Sequence, residues 1–164
     1  MRIAVAVVNI AFIVSATGNA QQRPSLAGTW KPVPGAIPNQ PLPTTGQNGV
    51  FAKASGSLKI TQDGKHLTLG DGSLLATYAL DGSETVNAIY QRDQPVPERA
   101  YAKWVGDRLV ITATFLMSGD TLHTTRTLFV DLNGNLVFEE RTQFRRLDTR
   151  SKLVYIKKTS SLIS

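Results

Sequence analysis

From Leu58 onward, apolar and polar residues alternate in short runs, and each run ends at a turn former. Alternation with a period of two puts every second side chain on one face of a β-strand. Leu58-Lys59-Ile60-Thr61 is followed by Asp63-Gly64, then by His66-Leu67-Thr68-Leu69. An Asp-Gly pair between two alternating runs predicts a hairpin, because tight type I′ turns need positive φ. Asp71-Gly72 and Asp81-Gly82 repeat this punctuation, with strands expected over 74–80 and 85–90. Further strands are expected over 100–105, 108–117, 121–131, 135–147 and 153–157. In the run 108–117, Leu109, Ile111, Ala113, Phe115 and Met117 share one face. Ser118-Gly119-Asp120 and Asn133-Gly134 turn the chain between these runs. No window shows a 3.6-residue apolar period with helix caps. The pattern predicts an all-β, antiparallel, up-and-down meander. Such a sheet has two exposed edges unless it closes. Closure into a barrel of about 8–10 strands is therefore expected, with a two-sheet β-sandwich as the alternative.

Proline marks the segments outside this pattern. Six of the eight prolines lie between Pro24 and Pro43, so residues 32–50 read as a loop or extended arm. Pro95 and Pro97 mark a second loop, over 91–99. At the N-terminus, Arg2 precedes an apolar run from Ile3 to Val14, and Gly18 and Ala20 are small residues ahead of Gln21. This is the layout of a signal peptide cut after Ala20, and the run is short for a bilayer span. Three segments are expected: a signal peptide at 1–20, a first strand with its Pro/Gly-rich arm at 21–57, and the meander at 58–164. The mature chain is expected to be exported, periplasmic or extracellular, without a membrane span.

Composition narrows the function classes. Hydrophobic residues make up 41% and charged residues 18%, enough apolar content for a core and too little charge for a disordered tail or a charged coiled coil. The absence of cysteine excludes disulfides, thiolate nucleophiles, cysteine-ligated zinc and iron–sulfur clusters. A hydrophobic core must hold the fold alone. The net charge of +6 is concentrated toward the C-terminus, where Arg141, Arg145, Arg146, Arg150, Lys152, Lys157 and Lys158 lie. Single-strand nucleic-acid binders interleave aromatics with such cations, whereas only Phe144 and Tyr155 occur here. A solvated basic edge is expected, with no nucleic acid as partner.

Catalytic and metal-binding patterns are not found. There is no Gly-x-Ser-x-Gly elbow, phosphate loop or His-Glu-x-x-His in the sequence. Of the two histidines, His66 follows a turn and reads as solvated. His123 shares a strand face with Thr121, Thr125 and Thr127 and reads as part of a half-buried polar strand. Glu139 and Glu140 are adjacent and point to opposite faces, so they cannot work as a carboxylate pair on one sugar ring. Glu140 shares a face with Leu136, Phe138 and Phe144. If that face is interior, Glu140 needs a partner, and pairing across the Asn133-Gly134 turn brings up Arg126. No enzyme activity, cofactor or metal is expected, and the chain is expected to be a monomer.

Leu26-Ala27-Gly28-Thr29-Trp30-Lys31, ahead of an antiparallel meander, resembles the Gly-x-Trp first strand of lipocalin-like (calycin-type) barrels. Together with Leu58 to Lys65 and Trp104 to Thr112, it is similar to small secreted bacterial proteins of that type. The resemblance implies that Trp30 packs at the closed barrel end under an arginine from near the last strand: Arg141, Arg145 or Arg146. It also implies a small apolar or amphipathic ligand, since barrels of about eight strands can enclose one. The interior candidates are Ile111, Phe115 and Leu128, with Tyr101 and Trp104 near the mouth or wall. Arg126 and Glu140 would form a polar floor. The alternative is a cell-envelope structural or protein-interaction module with a packed core.

Overall fold

The computed structural model describes residues 23–33, 57–70, 75–91 and 94–158. The segment 1–20 and most of the arm at 32–50 lie outside the described residues, as does Asp71-Gly72. Ten strands follow in chain order: β1 (Gly28–Pro32), β2 (Leu58–Gln62), β3 (His66–Gly70), β4 (Leu75–Ala79), β5 (Asp81–Gln91), β6 (Gln94–Val105), β7 (Arg108–Met117), β8 (Asp120–Val130), β9 (Leu136–Phe144) and β10 (Leu147–Lys157). They form one antiparallel sheet in the order β4-β3-β2-β1-β10-β9-β8-β7-β6-β5. First and last strands pair, with Trp30 opposite Lys157. The meander therefore runs nearly full circle, and the barrel expected from hairpin connectivity is the architecture found.

The remaining seam lies between the neighbours β4 and β5. There a side chain takes the place of a ladder bond: the Thr77 backbone N–H donates to Asn87 Oδ1 at 2.8 Å. Covering an unpaired strand edge in this way removes a template for pairing with other chains.

Three boundaries differ from the sequence expectation. Pro95 and Pro97 lie inside β6 rather than in a loop, opposite Tyr90 and Ala88 of β5. The β6–β7 ladder starts only at Arg99 opposite Thr114. On that side the prolines occupy a strand edge, where a missing N–H costs no ladder bond. Asp81-Gly82 is not a turn but an irregularity within β5, with Gly82 at φ 87°. The run 135–147 is broken at Arg145, whose φ of 54° turns the chain into a tenth strand that starts at Leu147.

The core fills the barrel in two apolar clusters. One contains Trp30, Leu69, Tyr78, Leu109, Ile111, Leu128, Phe138, Leu153 and Tyr155 among others, with Trp104 and Val130 packed against it. The other, near the β7–β8 turn, is Ile89, Phe115 and Leu122, flanked by Val96, Met117 and Phe144. The inward face of β7 is the one that carries Leu109, Ile111, Ala113 and Phe115.

Trp30 anchors its end of the barrel. Its Nε1 donates to the Leu26 carbonyl at 2.9 Å, and Lys157 Nζ stands 5.5 Å from the ring centroid. Gly28 has a φ of 149°, and a Cβ there would lie 2.9 Å from Lys157 Cε. The backbone conformation, rarely adopted by residues with a side chain, is what favours glycine two residues before the tryptophan, since a Cβ would displace only the end of the Lys157 side chain. The cation over the indole is a lysine and not one of the three arginines. Arg141 projects outward because Phe138, Glu140 and Thr142 take the inward positions of β9. Arg145 and Arg146 form the β9–β10 turn, a β10 length away from Lys157, about 30 Å at the rise of a strand.

Candidate functional site

A polar layer separates the two apolar clusters. One cross-strand row of the inner wall consists of small residues in register: Thr85, Ala100, Ala113, Thr124, Thr142 and Thr149. Short side chains around six strands leave room in the lumen at that level. Arg126, one row along β8, fills it. Its Nε donates to Glu140 Oε2 at 3.0 Å on the neighbouring strand. Its Nη1 and Nη2 donate to Glu98 Oε1 and Oε2 at 3.0 and 2.7 Å. Nη1 also donates to the Tyr78 hydroxyl at 3.2 Å, reaching β4 across the lumen.

This cluster is closed to solvent and well matched. Arg126 is 2% exposed, Glu98 1% and Glu140 5%. The Tyr78 hydroxyl donates to Glu98 Oε1 at 3.3 Å, and the Thr142 hydroxyl to Glu140 Oε1 at 3.4 Å, so every carboxylate oxygen has a donor. Burial pushes the Tyr78 phenol well above its ordinary pKa. Burial also opposes the charge on Arg126, but Tyr78, Glu98 and Glu140 outweigh it and hold the guanidinium pKa above its usual value. All four carboxylate oxygens are hydrogen-bonded, and one guanidinium bridges the two carboxylates, so the cluster is held in place from both β6 and β9.

The expected ligand residues are divided by the barrel wall. Ile111, Leu128, Arg126, Glu140 and Phe115 point inward and are buried. Trp104 is partly buried against the larger cluster. Tyr101 is on the outer wall and 47% exposed, because Ala100 and Ala102 take the inward positions of β6. It donates to Glu84 Oε2 at 2.5 Å. That bond raises the Tyr101 pKa and lowers that of Glu84. The Arg126–Glu140 pair, expected across the Asn133-Gly134 turn, is in register. Glu98 and Tyr78 were missed. Glu98 alternates with Ala100 and Ala102, but the flanking prolines concealed its strand. Tyr78 lies in an expected strand, but no local pattern links it to a residue 48 positions away.

Open grooves lie on the outer wall. One of about 570 Å³ is bordered by Thr125, Thr127, Glu139, Arg141, Arg150 and Lys152. Another of about 320 Å³ meets it at Thr125 and is bordered by Arg99, Tyr101, Thr112, Thr114, His123 and Gln143. His66 and His123 are both exposed. Among the described residues no group of three His, Asp or Glu side chains could hold a metal ion.

Turn and surface carboxylates give the fold a pH signature. Backbone N–H donors hold Asp63 and Asp131 below the usual aspartate pKa, and hydrogen bonds from Ser83 and Arg141 do the same for Asp81 and Asp148. A depressed folded-state pKa contributes stability above the unfolded value, and that contribution disappears as pH falls through the folded one. Denaturant unfolding should therefore show stability level from neutral pH to about pH 4 and falling below it. Stability rising on acidification below that point would contradict these pairings. No family model matches the chain, and no curated protein is significantly similar to it.

Proposed function

We propose that this chain is an exported, non-catalytic barrel that works through its outer wall as an interaction module. The observation that carries this reading is the Arg126 cluster. A side chain that ties β8 to β6, β9 and β4 occupies the lumen where a carrier would keep space for an apolar guest. Opening it would leave buried carboxylates without a counter-charge, which is strongly unfavourable. Apolar side chains pack on both sides of the cluster. The grooves at Thr125 face solvent instead.

Native mass spectrometry of the exported chain, after incubation with fatty acids and other lipophiles, tests the reading. The bare chain mass is expected throughout. A reproducible added mass that organic solvent removes would restore the lipocalin-like carrier as the better account.

A further inference from the structure

The outer wall carries a cross-strand row in unbroken register: Tyr101, Thr112, Thr125, Arg141 and Arg150, from β6 to β10. Its last two members are directly opposed cations. Like charges facing each other across a ladder destabilise a sheet. Among the described strand pairs, this is the only directly opposed pair of like charge. The rows beside it are neutralised: Lys152 faces Glu139, with Nζ to Oε1 at 3.3 Å. Arg141 is held by Asp148, which accepts from both its Nε and its Nη2. Arg150 has no carboxylate within ion-pair distance among the described residues. Its charge still acts on Asp148. Two guanidiniums thus share one carboxylate, at the border of the 570 Å³ groove.

We propose that this groove binds a carboxylate-bearing polysaccharide, with one of its carboxylates held by Arg150 beside the Arg141–Asp148 pair. The inference rests on the outer-wall reading above. The guanidinium fork of Arg150 suits a planar carboxylate. The row continues over the Thr125 and Thr112 hydroxyls to the exposed Tyr101 ring, with His123, Thr114 and Gln143 beside it. Four strand-to-strand steps make this path about 19 Å long. Hydroxyls, an amide and an exposed aromatic ring along such a path match the hydroxyls and apolar faces of several linked sugars.

Calorimetric titration of the exported chain with sodium polygalacturonate at low salt tests this. Neutral dextran and double-stranded DNA serve as comparisons. Saturable, salt-weakened binding to the polyuronate is expected, with little to dextran and weaker binding to DNA. Arg150→Gln should weaken it about tenfold, the scale of one charge-assisted hydrogen bond. Arg146→Gln, at the β9–β10 turn, should leave it unchanged. No binding of the polyuronate, equal loss from the two variants, or tighter binding to DNA would each overturn the proposal. The outer-wall reading itself falls only if a lipophile adds mass in the native spectrum, so the two failures are distinguishable.

Discussion

Replacing Arg126 with alanine should destabilise the protein by about 3–5 kcal/mol, the range for breaking a buried ion pair from one side. The variant leaves the Glu98 and Glu140 carboxylates facing the lumen without their guanidinium, and the Tyr78 hydroxyl loses a donor. It also empties the space that the Thr85–Thr149 row left open. Denaturant titration of wild type and variant would measure the loss. Arg126→Met combined with Glu98→Gln and Glu140→Gln should recover much of it, because no buried charge is then unmatched and the glutamines can still accept from Tyr78 and Thr142. If the single variant stays within about 1 kcal/mol of wild type, the cluster is not the buried, hydrogen-bonded unit described.

Trp30→Ala should cost a similar amount, about 3–5 kcal/mol, by a different mechanism. Trp30 is among the largest fully buried side chains, and its indole N–H is satisfied by the Leu26 carbonyl. Truncation leaves a cavity where β1 joins β2 to β10. The loss should lower Tm by roughly 10–20 °C. Trp30→Phe should cost clearly less, since most of the apolar volume remains. Near-equal losses for the two variants would mean that the indole N–H bond, not ring packing, holds this end.

The architecture was largely legible because hairpins are local. Period-two alternation with Gly-containing turns specified which residues of β7 and β9 share a face, though not which face is inward, and the Asn133-Gly134 turn brought Arg126 near Glu140. What was not legible depends on residues brought together around the barrel. Pro95 and Pro97 read as breakers because the sequence does not show that β6 outruns β7 at that end. Glu98 was lost with them. The cation over Trp30 is Lys157, which only the β1–β10 register identifies. The Arg141–Arg150 opposition depends on a β9–β10 turn at Arg145, a residue that seldom adopts positive φ. The arm read from proline over 32–50 begins later than expected, because Pro32 closes β1 opposite Tyr155 and the Val33 N–H donates to the Val154 carbonyl.

The central claim is that the lumen is filled around Arg126 and that binding belongs to the outer wall. NMR of the protein, following the Arg126 side-chain Nε–H and the Ile111, Leu128 and Phe138 side-chain signals, tests it most directly. The Nε–H is predicted to exchange far more slowly with solvent than that of exposed arginines such as Arg150, and a saturating fatty acid should leave all four sets of signals in place. Exchange as fast as a surface arginine, or fatty-acid shifts centred on Ile111, Leu128 and Phe138, would show an accessible lumen and contradict the account.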